Sequence, residues 1–162
     1  MSVCIVHRDG WAVCDSRSSI TNTILPVTTN KAFKTDNYLF AVVGDGVLEQ
    51  NIRALAENNT EDLVLAAISH HLSESDDSGS IVCVSRKREL IYIDQLGTRC
   101  PFENHVDFWV IGSAEDFVHG YLRACVDAGQ AITVELAKKA ITTAAKFDSS
   151  IDDRVKVFGL NV

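Results

Sequence analysis

Apolar positions recur at two periods along this chain, and the order in which those periods alternate predicts its elements. Val3 to His7 is a short apolar, β-branched run. Asp9-Gly10 and a second run, Trp11-Ala12-Val13-Cys14, follow it, the pattern of a tight β-hairpin. With a two-residue turn, Arg8 stands opposite Trp11 and Asp15 opposite Cys4, and a bulge would shift that register by one. Thr21 to Val27 is polar and β-branched and contains Pro26, which suits a loop or irregular edge. A short strand is expected near Lys31 to Lys34. Tyr38 to Val43 is continuously apolar, as in a strand covered on both faces.

After the break at Gly44-Asp45-Gly46 the period changes. Val47, Leu48, Ile52, Leu55 and Ala56 recur at helical spacing. Thr60 is placed to cap a second helix, with Glu61 and Asp62 in its first turn and Leu63, Leu65, Ala66, Ile68 and Leu72 beneath. Ser73 to Ser80 is a polar loop. Ser80–Ser85 and Leu90–Asp94 flank Arg86 to Glu89 as a second hairpin, and Phe108 to Ile111 is another buried strand ended by Gly112. Ser113 is read as the cap of a helix with Phe117, Tyr121, Leu122 and Cys125 on one face and Gly129 as its stop. A last helix runs from about Thr133 to Phe147, with Leu136, Ala137, Ala140, Ile141, Ala144 and Phe147 inward, and a strand from Arg154 to Leu160 closes the chain. Paired helices between blocks of antiparallel strands predict an α+β fold, a four-layer αββα sandwich over one domain, 1–162.

Composition narrows the function. The chain has 162 residues, 46% of them hydrophobic and 23% charged, which excludes disorder as its main state. The net charge is −7 and the largest basic cluster is Arg86-Lys87-Arg88, so nucleic-acid binding is not expected. No apolar run has bilayer length and the start is charged within eight residues, so neither a membrane segment nor a signal peptide is expected. The cysteines Cys4, Cys14, Cys83, Cys100 and Cys125 are scattered, odd in number and form no Cys-x-x-Cys pair. They read as buried thiols of a cytoplasmic protein without disulfides. His70-His71 has no further ligand at zinc spacing, so no metal or other cofactor is expected. Trp11 and Trp109 read as packing residues.

The order of elements, with a strand starting at the extreme N-terminus, resembles the N-terminal-nucleophile hydrolases, and within them the proteasome β-subunit and HslV group. Val13-Cys14-Asp15-Ser16-Arg17 resembles the strand of that family that ends in Asp-Ser-Arg. Lys31, sixteen residues beyond Asp15, falls where the family places its active-site lysine. The stretch to Gly44-Asp45-Gly46 aligns without a gap. Val110-Ile111-Gly112-Ser113 resembles the Ile-Gly-Ser segment before the third helix, and Ala140 to Asp148 the fourth helix and its following aspartate.

This resemblance implies a peptidase or amidohydrolase whose nucleophile is the hydroxyl of the first residue after processing, here Ser2 once Met1 is removed. Lys31 and Asp15 would tune it, and Ser113 and Asp148 would support the N-terminus by hydrogen bonding. A backbone N–H near Asp45 and Gly46 would steady the oxyanion. Asp45 stands where the family has glycine, so its carboxylate either repels that oxyanion or points into the substrate cleft and selects basic side chains. The implied partners are further copies of the chain in rings, a peptide or unfolded-protein substrate and, as for HslV-like proteins, an unfolding ATPase. The alternative class is a catalytically silent relative that forms rings or caps an assembly.

Overall fold

The computed structural model describes residues 2–20 and 23–160. Its elements are β1 (Val3–His7), β2 (Trp11–Asp15), β3 (Arg17–Ile20), β4 (Thr23–Thr28), β5 (Ala32–Lys34) and β6 (Tyr38–Gly44), then α1 (Leu48–Asn58) and α2 (Glu61–Glu74). There follow β7 (Gly79–Ser85), β8 (Leu90–Ile93), β9 (Arg99–Pro101), β10 (Phe108–Gly112), α3 (Glu115–Asp127), α4 (Val134–Ala144) and β11 (Val155–Gly159). All pairings are antiparallel. The strands form a four-stranded sheet in the order β10-β1-β2-β11, a five-stranded sheet in the order β5-β6-β7-β8-β9, and the separate β3-β4 ribbon.

Side-chain alternation explains the layering. On β1, Cys4 and Val6 face the gap between the sheets, where they meet Leu39, Ala41, Val82 and Val84 of the other sheet. Val3 and Ile5 face the opposite way, onto Val118, Leu122, Ala137 and Ile141 of α3 and α4. Phe40 and Val42 of β6 likewise turn outward onto Leu48, Ile52, Ile68 and Leu72 of α1 and α2. Both sheets are thus covered on both faces, and the expected four layers, helices, sheet, sheet, helices, are present. Among the described residues no helix is long and apolar enough to cross a membrane.

The structure corrects several local expectations. The first hairpin turns through three residues, Arg8 to Gly10, with Gly10 at φ +87°. That left-handed glycine supplies the extra residue of a bulge, so Cys4 pairs with Cys14 and Asp15 comes opposite Val3. Of the two alternatives for Thr21 to Val27 the irregular edge holds: Thr23–Thr28 is a strand of a two-stranded ribbon whose register shifts, and Pro26 is tolerated because such a ribbon is all edge; Thr21 and Asn22 lie outside the described residues. The β9 strand has only exposed residues and therefore no apolar pattern to announce it. Ala114, not Ser113, is the N-cap of α3. Phe147 lies beyond the end of α4 and is 78% exposed, its ring tilted against that of the half-exposed Phe117 at 5.8 Å, so neither is a core residue. Cys100 is exposed and Cys125 half-buried, whereas Cys4, Cys14 and Cys83 are buried.

Candidate active site

The corrected register is what assembles the site. Asp15 ends β2 and is 1% exposed as a residue, a burial that is tolerable only if every lone pair finds a donor. Oδ1 accepts from Val3 N at 2.8 Å and from Lys31 Nζ at 2.6 Å. Oδ2 accepts from Arg17 N at 3.2 Å and Asp152 N at 3.4 Å. One carboxylate therefore joins the first strand, the residue just ahead of β5 and the segment before the last strand. Lys31 is itself buried at 7%, and its carbonyl accepts from Val42 N at 2.8 Å, which fixes its backbone on β6.

Ser2 immediately precedes the amide that Asp15 holds. It is 9% exposed. Its carbonyl accepts from Ser113 N at 2.8 Å and from Ser113 Oγ at 3.4 Å. Gly112 adopts φ +119°, and a Cβ there would stand 1.9 Å from Ser2 O, so only glycine lets β10 approach residue 2 this closely. Ser113 thus contacts residue 2, through its carbonyl. Met1 lies outside the described residues.

Ser2 and Lys31 open into one cleft of about 150 Å³, together with Arg17, Asp45, Gly46 and Gln50. The Asp45 carboxylate is engaged by the backbone at the start of α1. Its Oδ1 accepts from Val47 N at 3.2 Å and Leu48 N at 2.9 Å, so the carboxylate caps the positive end of α1. The Asp45 N–H is taken by Ser78 O at 3.3 Å. The next residue, Gly46, lines the same cleft.

Asp148 is the candidate that the structure leaves apart. Its Oδ1 accepts from Ser150 N at 2.9 Å and Ser150 Oγ at 2.5 Å, and its side-chain bonds stay within that turn. The contact with the Asp15 centre comes four residues later. Asp152, 2% exposed, accepts from Ser16 Oγ at 3.3 Å and from the Arg154 guanidinium at 2.7 Å. Hydrogen bonding from Arg154 holds its carboxyl well below the usual carboxylate range. Arg17 donates from Nη1 to Ser149 O, which ties the same segment to β3. Sequence reasoning missed Asp152 and Ser16; the one available signal was Asp152-Asp153-Arg154 ahead of the last strand, a charged group just where the chain re-enters the core.

Other chemistry is less well placed. Burial, and then a hydrogen bond with Cys14, pushes the Cys4 thiol up, and burial pushes Cys83 up to about 12, so neither is a ready thiolate. Among the described residues no group of three metal-ligating side chains is arranged to hold an ion.

No protein-family model matches the chain, and no curated protein matches it by sequence. Solved structures do match it in shape. A eukaryotic HslV from Trypanosoma brucei superposes with a TM-score of 0.77 at 16% identity, covering 98% of each chain. A Thiobacillus denitrificans BPH solved in complex with epoxomicin gives a TM-score of 0.74 at 16% identity, covering 98% of this chain and 97% of the other. The chain therefore has the αββα fold of the HslV and proteasome β-subunit type along essentially its whole length.

Proposed function

We propose that the protein is an N-terminal-nucleophile peptidase or amidohydrolase acting through Ser2 as the first residue of the mature chain, after removal of Met1. The observation that carries this reading is the Asp15 carboxylate, which binds Val3 N and Lys31 Nζ through a single oxygen and so brings residue 2 and an ammonium to one cleft. With Met1 gone, the Ser2 α-amine, of pKa roughly 7.7–8.0, takes the hydroxyl proton as Oγ attacks the substrate carbonyl. Lys31 supplies the positive potential that favours the deprotonated hydroxyl. Gly46 N–H donates to the oxyanion. The amine then protonates the departing amine and the peptide C–N bond breaks, leaving an ester on Ser2 Oγ. Water, its proton taken by the same amine, cleaves that ester and restores Ser2.

Peptide or unfolded protein is the substrate class in this reading, an unfolding ATPase is its partner, and the compartment is the cytoplasm. Self-association into rings is part of it, and the exposed, tilted pair of Phe117 and Phe147 on the α3–α4 layer is the apolar surface that a neighbouring copy would cover. A peptide–aminomethylcoumarin panel tests the chemistry. Ser2→Ala and Lys31→Ala are each expected to lower hydrolysis by at least about 100-fold. Activity indifferent to both changes would overturn the mechanism.

A second reading is a catalytically silent, ring-forming scaffold. The placement of Asp148 favours it, because the carboxylate that the resemblance assigns to the N-terminus is spent on Ser150. An intact mass that retains Met1, with no turnover in the panel, would select this reading.

A further inference from the structure

The Asp45–Gly46 turn is held on its Asp45 side by the bonds to Val47 N, Leu48 N and Ser78 O, whereas Gly46 itself packs against nothing. It is exposed, and a Cβ added at Gly46 would meet nothing within 4 Å. A donor that must face a developing oxyanion needs a fixed direction, since a misplacement of about 1 Å can lower a rate by about 100-fold. A second restraint lies outside the cleft. Asp77, between α2 and β7, accepts through Oδ2 from Asn51 Nδ2 at 2.9 Å and meets His71 Nε2 at 2.7 Å through the same oxygen. Asn51 belongs to the first turn of α1, where its N–H donates to Val47 O, and His71 to the last turn of α2. A single carboxylate thus ties the start of one helix to the end of the other. Hydrogen bonding from Asn51 first and His71 second holds that carboxyl below its ordinary range.

The residues that follow Asp77 reach the turn from its other side. Ser78 O accepts from Asp45 N. Gly44 and Gly79 are paired, and a Cβ on Gly44 would stand 2.4 Å from Ser78 O. A Cβ on Gly79 would stand 2.4 Å from both Val43 O and Leu48 Cδ2. The two backbones are in contact without slack, so a displacement at residues 77–79 is passed on to residues 44–48.

We propose that Asn51, Asp77 and His71 form a positioning clamp for the Gly46 N–H: they fix the turn that aims this donor into the cleft, and none of them touches substrate. The assignment rests on the reading of that amide as the oxyanion donor. Asp77→Ala is expected to lower kcat on a peptide–aminomethylcoumarin substrate about tenfold while KM stays within about twofold. Asp77→Asn keeps an oxygen that accepts from Asn51 and His71, and is expected to recover most of kcat; a role confined to stability would produce neither the split nor the rescue. Asn51→Ala, which removes one arm only, serves if Asp77→Ala does not fold. Amide hydrogen exchange of residues 44–48, followed by mass spectrometry in the same variants, needs no turnover. It is expected to quicken in Asp77→Ala and return in Asp77→Asn. A wild type without activity would defeat the peptidase reading while leaving the exchange measurement to decide the clamp. Exchange in residues 44–48 indifferent to Asp77→Ala would overturn the clamp, whatever the activity.

Discussion

Asp15 and Lys31 form a buried ion pair whose members depend on each other: side-chain exposures are 0% and 8%. Removing one partner of such a pair strands the other charge, at a cost of about 3–5 kcal/mol. Lys31→Ala is therefore expected to weaken the fold by about that amount in urea unfolding as well as to abolish turnover. Ser2→Ala breaks no side-chain hydrogen bond among the described residues and is expected to leave the unfolding midpoint near the wild-type value. The two variants together separate catalysis from stability. Asp152 carries a pH dependence of its own. Arg154 depresses its folded carboxyl below the unfolded value of roughly 3.9, so its contribution is present above that pH and is lost as pH falls towards the depressed value. Thermal unfolding of Arg154→Ala should accordingly fall less steeply than wild type below about pH 4; an identical slope would contradict this assignment. The Asp15–Lys31 pair was legible through the resemblance of Asp15-Ser16-Arg17, and of the sixteen-residue step to Lys31, to the family pattern. Asp152 was not, since a polar residue in a turn gives no sign that its backbone N–H will serve a carboxylate 137 positions away.

At the scale of elements, the β1–β2 turn decides whether the site exists. Asp9-Gly10 signals a hairpin in the sequence, but its loop length depends on Gly10 taking φ +87°, which no pattern of apolar residues records. Long periodic segments such as β6, α1 and α4 were legible for the opposite reason: several buried residues repeat one instruction. The far end of the hairpin is held by Arg8, which donates from Nε to Val106 O at 2.8 Å, from Nη1 to Arg88 O at 2.8 Å and from Nη2 to Glu103 O at 2.7 Å. Arg8 thus fastens the turn to the loops at the ends of the other strands. Arg8→Ala is expected to lower unfolding stability by about 2–3 kcal/mol, because charged donors to several carbonyls are lost together. Gly112→Ala is expected to lower it by about 3 kcal/mol and to push residue 2 away from Ser113, seen as faster exchange of the Val3 amide. A Gly112→Ala variant with wild-type stability would contradict the close approach described between β10 and Ser2.

For the whole molecule, one carboxylate gathers the start of β1, the residue ahead of β5 and the segment ahead of β11. The layer order was readable from the alternation of strand and helix blocks, whereas surface chemistry was not: Phe147 follows the helical period inward on paper and lies beyond the helix end in space. If that exposed pair with Phe117 is covered by neighbouring copies, Phe147→Asp should lower the mass measured by light scattering at micromolar concentration while leaving the unfolding midpoint near wild type. An unchanged mass would remove this face from any assembly.

The central claim is that residue 2 attacks with Lys31 beside it. The most direct test is to treat the protein with a peptidyl β-lactone, which acylates an activated hydroxyl, and to map the adduct by peptide mass spectrometry. The account predicts one acyl group on Ser2 of a chain that begins at Ser2, and none in Lys31→Ala. An adduct elsewhere, or an unmodified Ser2 with a free amine, would contradict it.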